Sequence, residues 1–451
     1  MQSLLTRASF ALLALGLSTH SLSAAAADPE PPIQFAGALE FGPEGVLFVG
    51  DNVGGAVFAI EVGTGSPPAA DKPIDIDDID VVIGGALGVG PSRITINDMA
   101  VHPTTREVYL SVSRGHATGA LPALVKVDHS GQVHNLPLAA LPVTRQPLHD
   151  VPDGTQGFQV RGFFGQPPSP KEVAKAQQPM NLLAIMDLEY YGDELFVSGI
   201  SNEEFASTLR RLPYPFTGEY GSTHVEIFHV AHDAWETRAP IRAMEAKNLG
   251  GTDYLIASYT CTPVVLIPLQ DIRDGAAIKG RTIGDVGNGQ PIDMFTFHNK
   301  LAGGGEYLYL TNLSRQPQII PLEGLADAEG YTDENTERGM KTEMNGALPV
   351  GPVGNPVMFV GTTLQAAVLN DSFFVSVTRD PHTGSLNLES LPAMFPIKVH
   401  DLIAEADFPR AGGEPSKRRQ KGQKGQKGQK GQKGQKGQKG QKGQKGQKGQ
   451  K

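Results

Sequence analysis

NDMAVHPTTREVYLSVSRGH, residues 97–116, holds two short apolar strands around a Pro-Thr-Thr turn, opened by an acid and closed by a polar loop. Valine, leucine and tyrosine alternate with polar residues at the two-residue period of a strand, and the turn residues punctuate them. Looser versions recur as MDLEYYGDELFVSGISNEE (186–204) and IDMFTFHNKLAGGGEYLYLTNLSR (292–315). Others are ALEFGPEGVLFVGDNVGGAVFAIEV (38–62), YLIASYTCTPVVLIPL (254–269) and TLQAAVLNDSFFVSVTRDPHTGSLNLESL (363–391).

The centres of the second strands fall at Phe48, Tyr109, Phe196, Leu255, Tyr309 and Phe374. Repeats of strand–turn–strand units at spacings above ~40 residues point to a propeller. The expected fold is all-β, a six- or seven-bladed β-propeller over 28–409. A sandwich would not repeat one strand–turn–strand unit. Abundant Gly (54) and Pro (34) in 451 residues suit many short strands joined by turns.

Residues 140–181 break the rhythm and read as a Pro- and Gly-rich inserted loop with a brief helical piece at 171–178. Asp75–Asp80 (DIDDID) reads as an exposed loop or edge strand, or as a calcium loop that lacks the usual turn glycine.

The N-terminus has a basic Arg7, a short apolar core FALLALGL (10–17) and small residues up to Ala27. This is the pattern of a cleaved export signal, too short to span a bilayer, so the expected location is periplasmic or secreted with no transmembrane segment. One cysteine, Cys261, allows no internal disulfide.

Charge is segregated. Residues 28–413 hold 24 bases against 47 acids, while the tail from Lys417 holds 14 bases, mostly in QKG repeats. The tail at 410–451 has nothing apolar to bury and reads as disordered; glycine at every third position without proline does not make a collagen helix. Its charge would suit contact with an anionic envelope surface or with the acidic body. Nothing points to a specific nucleic acid.

In a propeller, inner-strand starts and the loops after second strands meet at one channel mouth. That places Asp98, Asp187 and Asp293 at equivalent inner-strand starts, with Asn97 beside the first, Glu245 a fourth counterpart and Gln365 a sixth. The loops would bring Asp51–Asn52, Arg114 and His116, Asn202–Glu203–Glu204, Thr260–Cys261, Asn312 and Arg315, and Thr378–Arg379 to the same mouth. Like-charged aspartates around one channel need cations, shared protons or hydrogen-bond donors. Two readings stand: the acids hold blade junctions together, or with His116 they bind a divalent metal (calcium, zinc or copper) or a small polar ligand. Cys261 is either a buried small hydrophobe or a thiol ligand at the mouth. His229, His232 and Asp233 have ligand chemistry on an expected outer strand. There is no Cys-x-x-Cys-His haem site, no Gly-x-Ser-x-Gly elbow, no P-loop and no dinucleotide fingerprint, so neither haem nor nucleotide is expected.

PEGVLFVGDNVGGAVFAI (43–60) resembles an NHL-type blade, and NDMAVHPTTREVYLSV (97–112) resembles a YVTN or gluconolactonase-like blade of exported bacterial propellers. The lactonase resemblance implies a divalent metal held by a first-blade Glu and by Asn and Asp at the channel mouth. Asn97 and Asp98 match that pair, and Glu40 stands for the first-blade acid. The functions then implied are metal or polar-ligand binding in an envelope redox or binding system, metal-dependent hydrolysis, or a scaffold for an envelope protein.

Overall fold

The computed structural model describes residues 33–115, 119–155, 179–203, 206–260, 263–285, 290–299, 304–313, 315–336, 355–356, 362–380 and 383–393. The segments read as an export signal (1–27), as a helical piece (171–178) and as a tail (from 410) lie outside them.

The chain opens with β1 (Leu39–Phe41), β2 (Val46–Asp51) and β3 (Ala56–Glu61), paired antiparallel in order. The Pro-Glu-Gly turn before β2 requires glycine: Gly45 has φ +75, and a Cβ there would stand 2.1 Å from the Gly63 carbonyl oxygen. After α1 (Ile79–Leu87) comes a second meander of β4 (Ile94–Val101), β5 (Val108–Arg114), β6 (Leu121–Val127) and β7 (Val133–Asn135). The chain then returns to the first sheet, where β8 (Val143–Pro147) pairs antiparallel with β3. Part of the segment expected as an inserted loop is therefore the outer strand of the first sheet, displaced in sequence by a whole meander.

The third meander is β9 (Asp187–Tyr191), β10 (Glu194–Ile200), β11 (Ser207–Pro213) and β12 (Gly221–His229), with β13 (Ala234–Glu236) folded back on β12. The fourth is β14 (Ile241–Leu249), β15 (Thr252–Tyr259), β16 (Pro263–Pro268) and β17 (Ala277–Asp285), joined to the third by parallel β12–β17 pairing. The fifth is β18 (Pro291–Asn299), β19 (Gly305–Asn312), β20 (Arg315–Pro321) and β21 (Asn355–Pro356); the sixth is β22 (Thr362–Val368), β23 (Phe373–Arg379) and β24 (Leu386–Pro392).

The inner strands touch in a closed circle: β1, β4, β22, β18, β14, β9 and back to β1. Six apolar clusters fill the six gaps between neighbouring sheets in that same circular order. This is a β-propeller, with six meanders among the described residues. Second strands such as β2 and β5 are buried along nearly their whole length because a sheet packs on each face, which is why they read as continuous apolar runs. The first meander sits between the second and third, so ring order departs from chain order.

The sixth sheet is finished from near the start of the chain. Ile76 bridges Leu388, and the Ile74 amide donates to Ser390 Oγ at 2.7 Å. Asp75 accepts the Ser390 amide at 2.9 Å and Asp80 the Leu386 amide at 3.3 Å. The DIDDID acids thus cap an edge strand, so the edge-strand reading holds and the calcium loop has lost these carboxylates to β24. The end of the motif turns into α1, whose Ile79, Ile83 and Leu87 enter the cluster between the second and sixth sheets. No helix among the described residues is long and apolar enough to cross a membrane.

One buried ion pair ties the first sheet to the third. Arg210 on β11 is fully buried; its Nε donates to both Asp150 oxygens (2.7 and 2.9 Å), and its other nitrogens donate to the Ala184 and Ile200 carbonyls. Tyr220 adds a hydroxyl donor to Asp150 at 2.8 Å. Removing one partner of such a pair strands the other charge, so Arg210→Ala should cost about 3–5 kcal/mol. The half-exposed Arg211–Glu194 pair next door is worth ~1 kcal/mol or less. Urea unfolding of the two alanine variants should show that contrast.

Candidate functional site: an acid-lined channel

On β9 Asp187 and Glu189 stand two residues apart on one face, and β1, β4, β14 and β18 each carry an acid at one of those two levels, so the carboxylates form two tiers around the axis. Asp98 pairs with Ser111 across β4–β5, and Asp187 occupies the same register opposite Ser198 on β10. Asp293 is their counterpart on β18; its amide donates to Thr311 Oγ1 at 3.0 Å. Two residues further along the same face, Glu189 of β9 lies opposite Phe196, Glu245 of β14 opposite Ile256, and Glu40 of β1 opposite Phe48. Glu245 therefore matches Glu189 and not the Asp tier, where β14 has Ala243 opposite Ser258. β-bulges interrupt β4, β14, β18 and β22 next to the Asp tier, a common device for re-aiming side chains.

Both tiers line a cavity of about 260 Å³ with no Lys, Arg or His among the described residues that line it. On the other side of the Asp tier a cavity of about 350 Å³ is lined by Asn52, Asn97, Asp98, Asp187, Arg242, Asp293 and Gln365, among others. The three aspartates belong to both cavities and form the waist between them.

Five of the six acids also grip the next inner strand. Asp98 Oδ2 accepts the Leu39 amide at 2.7 Å, Asp187 Oδ2 the Met244 amide at 2.7 Å, and Asp293 Oδ2 the Ala366 amide at 2.9 Å. Glu189 accepts the Ala246 amide at 2.9 Å, and Glu245 accepts the Thr296 amide and hydroxyl at 3.2 and 2.6 Å. Gln365 Nε2 donates to the Asn97 carbonyl at 3.0 Å, and Asn52 Nδ2 to the Leu182 and Ile185 carbonyls. These contacts span every junction of the ring.

Burial raises the pKa of all six carboxylates. Asp98 is pushed up to about 7 by burial, against the amides of Leu39 and Met99. Glu40, Asp187, Glu189 and Asp293 are held well above the usual range, first by burial and then by the negative charge of their neighbours. Glu245 is raised by burial and partly relieved by Thr296. At the mouth, burial works against the charge on Arg242, with Asp187 opposing. Arg242 Nε, Asn52 Oδ1 and Gln365 Oε1 have no hydrogen-bond partner there.

Of the residues expected at the mouth, Asn52, Asn97, Asp98, Asp187, Asp293 and Gln365 come together. Asn97 is spent on structure, with Nδ2 on the Ala36 carbonyl and on Ser113 Oγ. Asp51 accepts the amides of Gln34, Phe35 and Gly54 and so shapes a turn. Asn202 and Glu203 are exposed away from both cavities; Glu203 pairs with His224 on β12 at 2.7 Å, and the Asn202 amide donates to the Asp150 carbonyl. Asn312 is buried within β19 and lines neither cavity. Arg315 pairs with Asn312 through the backbone at the start of β20. His116, Glu204 and Cys261 lie outside the described residues, as does the Arg315 side chain. Sequence reasoning missed Glu189 and Arg242 as channel residues; the signals were an acid two residues beyond Asp187 and a base three residues before Glu245 on the same inner strand.

No protein-family model matches the chain, and no curated protein matches it. Similar solved structures include a glucose dehydrogenase (14% identity, 79% of this chain and 96% of that one, TM-score 0.30). Others are a virginiamycin B lyase from Staphylococcus aureus (8%, 79% and 95%, TM-score 0.30) and a Bacteroides ovatus xyloglucan-locus GH43B protein (10%, 71% and 54%, TM-score 0.32). Likenesses this distant transfer no activity, and the fold rests on the closed ring of inner strands.

The raised carboxylates have a pH consequence of definite sign. A carboxyl whose folded value exceeds its unfolded value near 4 stabilises the fold at low pH and loses that contribution as pH rises through the folded value. In chelator, the melting temperature should therefore fall between about pH 5 and pH 8, through the Asp98 value of about 7. Asp98→Asn, which keeps an oxygen for the Leu39 amide, should flatten the fall; a wild-type melting temperature rising over that range would contradict it.

Proposed function

We propose that this chain is an exported β-propeller whose channel binds a hard divalent cation, calcium being the best fit. The observation that carries the reading is the two-tier ring of six carboxylates, buried together with no base among the described residues that line their cavity. Such a ring is satisfied by protons at low pH and by a cation at neutral pH. The donors at the waist are all oxygens: Asp98, Asp187 and Asp293, with the unpartnered Asn52 Oδ1 and Gln365 Oε1 lining the adjoining cavity. Oxygen-only sets suit calcium or magnesium over zinc or copper. Export through the signal at 1–27 would place the channel where calcium sites of ~10⁻⁴–10⁻³ M are filled. The basic tail would then tether the acidic body to an anionic envelope surface.

A second reading has its own support. Glu40 lines the same cavity as Asp98, and Asn97 lines the mouth, which is the placement implied by the gluconolactonase resemblance. A divalent ion there would polarise a substrate carbonyl or activate water, and Arg242 Nε would offer a donor to a carbonyl or carboxylate of the ligand.

Calorimetric titration of calcium into chelator-treated protein at pH 7.5 tests the first reading. Saturable binding is expected, weakened at least ~10-fold in the Asp98→Asn/Asp187→Asn variant and at pH 5. Absence of binding by folded wild type would overturn both readings. Calcium-dependent opening of simple lactones, lost in that variant, would select hydrolysis over binding alone.

A further inference from the structure

A second group of metal-ligand side chains stands away from the channel, on the outer hairpin of the third sheet. β12 ends at His229, a tight turn carries Val230–His232, and β13 returns with Glu236. Asp233 takes the left-handed conformation at φ +53 that reverses the chain. The reversal sets Glu236 beside both imidazoles: His229 Nδ1 lies 3.0 Å from Glu236 Oε2, and His232 Nδ1 lies 2.5 Å from Glu236 Oε1. The two rings are 3.9 Å apart between centroids, and one donor atom from each of the three residues falls within 4.8 Å of the others. Tetrahedral zinc with bonds of about 2.0–2.1 Å sets its ligand atoms ~3.3 Å apart, so small side-chain rotations would bring these three to one ion.

The buried side of the cluster supplies an independent sign. His229 is 1% exposed, and its Nε2 has no hydrogen-bond partner. That nitrogen faces Asp285 on β17, whose Oδ2 is 4.0 Å away and equally buried. A neutral His229 that donates Nδ1–H to Glu236 turns an Nε2 lone pair toward this carboxylate. A metal on Nδ1 reverses the tautomer, so that Nε2–H points at Asp285. This is the carboxylate–histidine–metal arrangement that orients ligating imidazoles.

We propose that His229, His232 and Glu236 form a binding site for a zinc-class first-row metal ion, with Asp285 orienting His229 from beneath. Imidazole with one carboxylate suits zinc, copper or nickel and is a poor set for calcium. His232 is half-exposed, so a fourth position opens to water. The ion would pin β13 to β12 at the parallel seam joining the third and fourth sheets.

The test titrates zinc chloride calorimetrically into the full chelator-treated chain, with cobalt absorption as a second readout of tetrahedral nitrogen–oxygen coordination. One strong zinc site is expected. His232→Ala, at an exposed position that need not disturb the core, should remove it, and Glu236→Gln should weaken it severely. Asp285→Asn should weaken it ~10–100-fold while keeping one-to-one binding. The channel variant Asp98→Asn/Asp187→Asn should keep the zinc site intact, which separates this proposal from the channel reading. Zinc affinity unchanged in folded His232→Ala, or no zinc binding by wild type, would overturn it and leave the cluster a histidine–glutamate ion pair.

Discussion

The ring is closed by side-chain oxygens that accept amides from the next inner strand. Inner strands of a propeller lie too far apart to share a ladder, so the backbone donors facing the channel need other acceptors. Aspartate and glutamate supply them at four of the junctions, and the amides of Gln365 and Asn52 complete the circle. The same choice concentrates negative charge on the axis, where water is scarce and repulsion is felt strongly. Architecture and binding are thus one problem: whatever relieves the charge also steadies the ring. Protons and cations compete for that role.

The first meander's place between the second and third matters to this balance. It brings Glu40 into the circle beside β9, on the same tier as the glutamates of β9 and β14, and Glu40 is raised partly by Glu245 while Glu189 is raised partly by Glu40. Had the sheets followed chain order, β4 would stand beside β9 and Asp98 would meet a different neighbour.

Much of this was legible in the sequence because strand alternation and turn residues are local. The repeated unit gave the fold class, and the start of the inner strand gave the Asp tier at Asp98, Asp187 and Asp293. The Glu tier was half-read, since Glu189 needs the two-residue period carried one step past Asp187. Non-local pairings left no such mark. β8 looks like loop because it is short, polar and separated from β3 by a whole meander. The loop residues Asn202, Glu203 and Asn312 were assigned to the mouth by topology alone, and pairing with His224 or burial in β19 drew them elsewhere. At the outer hairpin the sequence singled out Asp233 by proximity, whereas the left-handed turn there makes Glu236 the third partner.

The strand-like segment at 74–78 has a consequence for how the molecule is made. Its partner on β24 arrives 316 residues later, at Ser390. Throughout synthesis that segment waits without its edge, and α1 waits without half of the apolar cluster that covers it. Such late, sequence-distant closure slows folding and leaves a strand edge open to other chains in the interval. The acids of DIDDID thus serve two stages: they discourage edge-to-edge association before closure, and Asp75 and Asp80 cap amides of β24 after it.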